Sequence, residues 1–159
     1  MTRTHGRAEG GQRAVGSIPR NYGSNISVIG AINLEGLITS MHIEGAVDGL
    51  AFDAFIENFL VPELRPGQIV IMDNLNIHLS ERVEELILKA KASIIYLPPY
   101  SPDLSPIENF WSKVKAFLRA VGARTKRKLL NALALAFDSV SKGDIQGWFK
   151  LCGYKVEFI

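Results

Sequence analysis

Ile69-Val70-Ile71-Met72-Asp73-Asn74 is the stretch on which the reading of this chain turns: four apolar residues, then a carboxylate and an amide. A short β-branched run of this kind predicts a buried strand, and Asp73 stands where it ends. Downstream comes Leu97-Pro98-Pro99-Tyr100-Ser101-Pro102-Asp103-Leu104-Ser105-Pro106-Ile107-Glu108, in which Pro106 takes the first position of a helix and Glu108 falls in its opening turn. Thirty-four residues separate the two acids. A carboxylate past a strand end and another at a helix start are parts from which a divalent-metal phosphoryl-transfer site can be built, since hard cations take oxygen ligands. Each acid has a plainer alternative. Ser105-Pro106-Ile107-Glu108 matches a capping box, in which Glu108 only returns a hydrogen bond to the backbone of Ser105. Asp73 before Asn74 equally suits a tight turn. What weighs for a site is position: in open α/β sheets, functional residues gather beyond the carboxyl ends of strands.

The elements around the two stretches follow from periodicity. Phe52, Phe55, Ile56, Phe59 and Leu60 fall at i, i+3, i+4, i+7 and i+8, which predicts a helix that Pro62 and the turn Arg65-Pro66-Gly67 end. Residues 26–34 and 37–43 are β-rich runs about Glu35-Gly36 and predict an antiparallel hairpin. Residues 1–24, rich in Gly, Arg and Ser, read as an irregular arm. Beyond Asp73, Ser80 is placed to cap a helix in which Val83, Leu86, Ile87 and Ala90 keep helical spacing, and a strand over 92–97 follows. A helix over about 106–120 then buries Ile107, Phe110 or Trp111, Val114, Phe117 and Leu118, and a last one over 126–140 carries Leu129, Leu130, Leu133, Phe137 and Val140. The order hairpin, helix, strand, helix, strand, helix, helix predicts one α/β unit with helices covering a mixed sheet.

Composition narrows the function classes. The 159 residues, 47% hydrophobic and 21% charged, make one globular domain with a real core. No run approaches the roughly 20 apolar residues of a membrane span, the N-terminus lacks the apolar core of a secretory signal, and Cys152 is the sole cysteine. A reducing, intracellular setting is expected. The net charge of +2 conceals a segregation: residues 21–91 hold ten acids and four bases, whereas 109–128 hold seven bases and no acid. Those seven are Lys113, Lys115, Arg119, Arg124, Lys126, Arg127 and Lys128. Basic flanks about an acidic middle suit a protein that holds metal centrally and a polyanion around it, although a solvated helix face would look similar.

Met72-Asp73-Asn74 with His78, the run from Tyr96 to Glu108, and Trp111-Ser112-Lys113-Val114-Lys115 resemble the catalytic half of the mariner-type DDE transposases, particularly the bacterial insertion-sequence branch. The 34-residue spacing matches that group, and the main departure is Ser105, where the family commonly has asparagine. The likeness extends over nearly the whole chain, through Arg3 to Arg7, Ile26 to Glu35, and Gly147-Trp148-Phe149 to Gly153-Tyr154. It implies a ribonuclease H-like fold, a nucleoid-associated protein of the bacterial cytoplasm, and three acids holding two Mg²⁺ or Mn²⁺ ions for in-line displacement at a DNA phosphorus. Carried over by position, Asp73 is the second acid and Glu108 the third, both catalytic and metal-binding, with Asn74 and His78 as accessory residues. Lys113, Lys115, Arg119, Lys126, Arg127 and Lys128 are the expected contacts to the DNA backbone.

In the family the first acid ends a first strand that lies in the middle of the sheet, ahead of the segment beginning here at Met1. Glu9, Glu35, Glu44 and Asp48 do not have its place in the order. Residues 1–159 are therefore expected to form a partial catalytic domain lacking its central strand and the N-terminal helix-turn-helix, inactive alone, with transposon-end and target DNA, an upstream-frame transposase fragment and a second copy as partners. The competing reading is a non-catalytic nucleic-acid-binding remnant.

Overall fold

Ile26–Asn33 (β1) and Gly36–Glu44 (β2) form the expected antiparallel hairpin in the computed structural model, which describes residues 6–15, 25–74 and 80–156. Its tight turn is organised by Asn33, whose Oδ1 accepts from the backbone N–H groups of Glu35 (2.9 Å) and Gly36 (3.1 Å). Both faces of β1 are covered. Ile29 and Ala31 pack on one apolar cluster and Val28 and Ile32 on another, the period-2 alternation of a strand sandwiched between helical layers.

The first cluster is built by Gly49–Phe55 (α1), a π turn over Ile56–Leu60, Ile69–Met72 (β3), Glu81–Lys89 (α2) and Ser93–Tyr96 (β4). The single helix expected over 52–60 is thus α-helical for one part and π for the other. The wider π turn leaves Phe59 39% exposed while Phe55, Ile56 and Leu60 stay buried. Ile56, Val83 and Ile87 are fully enclosed, each burial contributing about 1.5–3 kcal/mol. Helix α2 begins after Ser80 as expected, but the Ser80 side chain makes no capping hydrogen bond.

The second cluster joins Pro106–Val121 (α3), Lys126–Asp138 (α4) and Lys142–Leu151 (α5). Phe110 is fully buried in it, in edge contact with Trp111 (centroids 5.0 Å apart) and stacked on Phe137 (5.7 Å). Helix α3 ends at Gly122, which takes φ +61°. Helix α5 had no counterpart among the expected elements. Gly143 and Gly147 break its apolar pattern, yet Ser141 and Asp144 form a full capping box at its start.

Strands β3 and β4 pair in parallel, Ile69 beside Ser93 through Met72 beside Tyr96. Both strand directions are present, as a mixed sheet requires, but in two separate two-stranded sheets: β1 pairs with β2, and β3 with β4. Between the β1 edge and the β3 edge lies a cavity of about 420 Å³, lined by Val28 to Asn33 on one side and Ile69 to Asp73 on the other. The interruption lies between the hairpin and the strand that ends before Asp73.

Candidate active site

Asp73 follows the last residue of β3, half-buried, and Glu108 lies exposed in the first turn of α3. Both line the cavity between β1 and β3, and both line a second cavity of about 310 Å³ whose other wall is the loop Leu97 to Pro102. Two acids remote in sequence therefore face common space at the end of β3.

The capping alternative for Glu108 does not hold. Ser105 is the N-cap of α3, but its side chain makes no capping bond, and the sole link across the turn is the Glu108 N–H donating to the Ser105 carbonyl at 3.1 Å. At the Ser141 cap, by contrast, the Asp144 carboxylate accepts from the Ser141 N–H (2.9 Å) and hydroxyl (2.7 Å). The same Ser-x-x-acid pattern is consumed structurally in α5 and left open in α3. The loop ahead of Glu108 is held from the chain's far end: the Tyr154 hydroxyl donates to the Leu104 carbonyl at 2.8 Å, and the Tyr154 ring meets Phe149 at 5.6 Å. Sequence reasoning passed over Tyr154 as a support, because nothing local in Gly153-Tyr154 signals a contact 50 residues away.

Asn74, the accessory amide, borders the second cavity beside Asp73. His78 lies outside the described residues.

Three of the four acids set aside as substitutes for a third ligand have other partners. Glu35 is ion-paired with Lys142 at 2.6 Å, Glu44 with Lys126, and Asp48 caps α1 by accepting from the Ala51 N–H at 2.8 Å. Among the described residues no cluster of three or more His, Cys, Asp or Glu side chains forms. The oxygen donors of Asp73 and Glu108 suit Mg²⁺ or Mn²⁺ in kind. In number they suffice for one ion sharing its remaining positions with water, and a two-ion set needs another carboxylate.

The six basic residues expected on DNA divide by position. Helical geometry sets Lys115 and Arg119 seven and eleven positions beyond Glu108, which at about 100° per residue brings Glu108, Ser112, Lys115 and Arg119 onto one face of α3. Lys113 falls on another face, where it binds Asp144 of α5 at 2.6 Å. That bond, followed by the Ser141 hydroxyl and N–H, holds the Asp144 carboxylate at about 2, below its ordinary 3.8. Lys126 is engaged with Glu44, joining α4 to the hairpin. Arg127 and Lys128 are exposed in the first turn of α4. Lys113 and Lys126 thus serve the fold, and Lys115, Arg119, Arg127 and Lys128 form the more available basic set. Among the described residues no helix is long and apolar enough to cross a membrane.

Comparison with known proteins bears on the fold and the family. Two relatives are transposable-element transposases of Caenorhabditis briggsae: Tcb1, 24% identical over 131 residues, and Tcb2, 25% identical over 125. The matches cover 80% and 76% of this chain but 48% and 46% of the relatives, so the chain spans about half their length. Among solved structures, the Mos1 strand transfer complex superposes with a TM-score of 0.74 at 18% identity, over 95% of this chain and 47% of that one. The Mos1 transposase catalytic domain with raltegravir and Mn gives 0.66 at 14% identity, over 79% and 70%. The mariner-type, ribonuclease H-like fold expected from the motif is therefore the observed one. The model of the DDE superfamily endonuclease family matches residues 1–130, and this chain is a member of that family.

Proposed function

We propose that residues 1–159 form the part of a DNA transposase catalytic domain that carries its second and third acids, Asp73 and Glu108, and that strand cleavage and transfer require a further carboxylate-bearing strand. The observation that carries this reading is the shared cavity wall of Asp73 and Glu108 at the end of the cleft between β1 and β3. The cleft is flanked by two sheet edges, and an edge presents unpaired N–H and C=O groups to an incoming strand. A strand seated there would carry its last side chain to the acids. It could come from an upstream part of the same polypeptide or from a separate upstream-frame transposase fragment. Either way, residues 1–159 alone are inactive.

The Asp73 and Glu108 carboxylates hold divalent metal, Mg²⁺ or Mn²⁺, two ions in the completed site. Bound metal supplies Lewis-acid activation of an oxygen nucleophile and neutralises charge at phosphorus. The protein's own contribution is positional. Half-buried Asp73 is fixed by the rigid end of β3, Glu108 reaches the same space from α3, and Asn74 with His78 orients ligand or phosphate. Lys115 and Arg119 continue the Glu108 face of α3, about 10 and 16 Å along the axis at 1.5 Å per residue, and meet backbone phosphates flanking the reacting one. Arg127 and Lys128 extend that track. The DNA partners are transposon ends and target, two copies of the chain acting on paired ends. The bacterial, nucleoid-associated setting rests on the motif resemblance alone.

The test is metal binding together with cleavage. Mn²⁺ binding followed by calorimetry should weaken at least tenfold in Asp73→Asn and in Glu108→Gln. The 159-residue chain with Mg²⁺ or Mn²⁺ should nick DNA no faster than either variant. Metal-dependent nicking abolished by one of these substitutions would show that the chain already holds its third ligand. Salt-sensitive DNA binding with Mn²⁺ affinity unaltered in both variants would favour a non-catalytic binding module instead.

A further inference from the structure

Tyr100 is 102% exposed and takes φ +58°, a backbone conformation that aromatic residues rarely adopt. Among the described residues one other non-glycine residue has positive φ, Lys91 at +59°. Lys91 has a local explanation: its N–H donates to Leu88 and that of Ala92 to Ile87, the Schellman arrangement that ends a helix. Tyr100 has none. It occupies the centre of a turn with Pro99, a place that glycine or asparagine fills without strain. Its ring gains no burial, and the turn does not require an aromatic residue. Yet it stands at the rim of the cavity lined by Asp73, Asn74, Ser105 and Glu108. Pro98, Pro99 and Pro102 fix the backbone on either side, so the ring is presented outward at little further entropic cost.

We infer that Tyr100 is a stacking platform for an unpaired nucleobase adjoining the phosphate that Asp73 and Glu108 face. The inference rests on the proposed DNA chemistry of that acid pair and adds what the acids lack, a contact with the base rather than the backbone. An exposed ring stacks on any base, so this contact is indifferent to sequence. Bases inside an intact duplex are already stacked on their neighbours, so the chain should prefer DNA with at least one unpaired nucleotide beside the reacting phosphate.

The experiment uses the purified chain with duplexes carrying a 2-aminopurine at an unpaired terminal or bulged position, beside fully paired controls. Wild type and Tyr100→Trp should quench the probe and favour unpaired DNA. Tyr100→Gly suits the positive φ, so its melting temperature should match or exceed wild type. It should nevertheless lose the preference by about 5- to 150-fold while binding paired duplex as before. A preference and quench unchanged in Tyr100→Gly would overturn the platform and leave the acid-pair reading standing. Failure of the wild type to bind DNA at low salt would overturn that reading, and the platform with it.

Discussion

Tyr154 and Leu104 join the C-terminal segment to the loop ahead of α3: the tyrosine hydroxyl, just beyond α5, donates at 2.8 Å to the carbonyl of the residue before Ser105. The loop that launches Glu108 is thereby tied to the segment just beyond α5, in addition to the local bonds from the Leu104 N–H to the Ser101 carbonyl and from the Ser105 N–H to the Pro102 carbonyl. Burial holds the Tyr154 phenol above its ordinary range, with charge on Cys152 adding to the effect.

Removing this bond should be felt at the acid pair. Tyr154→Phe keeps the ring against Phe149 and deletes one hydrogen bond, a cost of about 0.5–1.5 kcal/mol in denaturant unfolding. If the tail positions Glu108, Mn²⁺ affinity should also fall, by more than in an equally destabilised variant placed far from the loop. Unchanged Mn²⁺ affinity would make Tyr154 a purely structural residue.

The bridge from Lys113 to Asp144 makes stability depend on acid. The folded-state value of Asp144 lies near 2 and its ordinary value near 3.8, so its contribution is fully present above about 4 and is lost as pH falls through about 2. With both side chains about a third exposed, solvent screening limits the pair to roughly 1 kcal/mol. Replacing Lys113 by Met should raise the Asp144 titration midpoint toward 3.8, read by carboxyl NMR, and should flatten stability between pH 4 and 2. DNA affinity should change little, because Lys113 is turned to α5 and away from the Glu108 face.

Gly30 on β1 is pressed by Trp111. A Cβ there would meet the indole at 3.2 Å, and that ring is held in turn by Phe110 and Phe137. Gly30→Ala should therefore destabilise by about 1–3 kcal/mol, as overpacking does, although alanine is otherwise the better strand residue. The double variant with Trp111→Phe should recover part of that loss if the clash is the cause. Thermal melts of the two variants decide.

How much of this was legible in sequence varies with the range of the interaction. Asp73 past a β-branched run and Glu108 behind proline could be placed because strand ends and helix starts are written locally. The hairpin about Glu35-Gly36, β4, and the spans of α3 and α4 were readable for the same reason. Helix α5 was missed because Gly143 and Gly147 dilute its apolar face, and the π turn at Ile56–Leu60 because an i to i+5 step leaves no distinct periodicity over five residues. The division of the lysines was out of reach. Lys113 and Lys115 look alike in sequence, and α5 packing beside one of them settles which is ion-paired within the fold. Tyr100 stands within the proline-rich run, but its positive φ belongs to the folded loop.

The two serine caps offer the sharpest check on why Glu108 is available. At α5 the Ser141 hydroxyl accepts from the Asp144 N–H at 3.1 Å and donates to its carboxylate, so Ser141→Ala should cost about 1 kcal/mol. It should also let the Asp144 midpoint rise, because one of the bonds holding it down is gone. At α3 the Ser105 side chain makes no such bond, so Ser105→Ala should change unfolding free energy by less than about 0.5 kcal/mol. A loss at Ser105 as large as that at Ser141 would mean that the capping box forms in solution. Glu108 would then be occupied by the helix it opens, and metal would have to displace it from Ser105 before it could join Asp73.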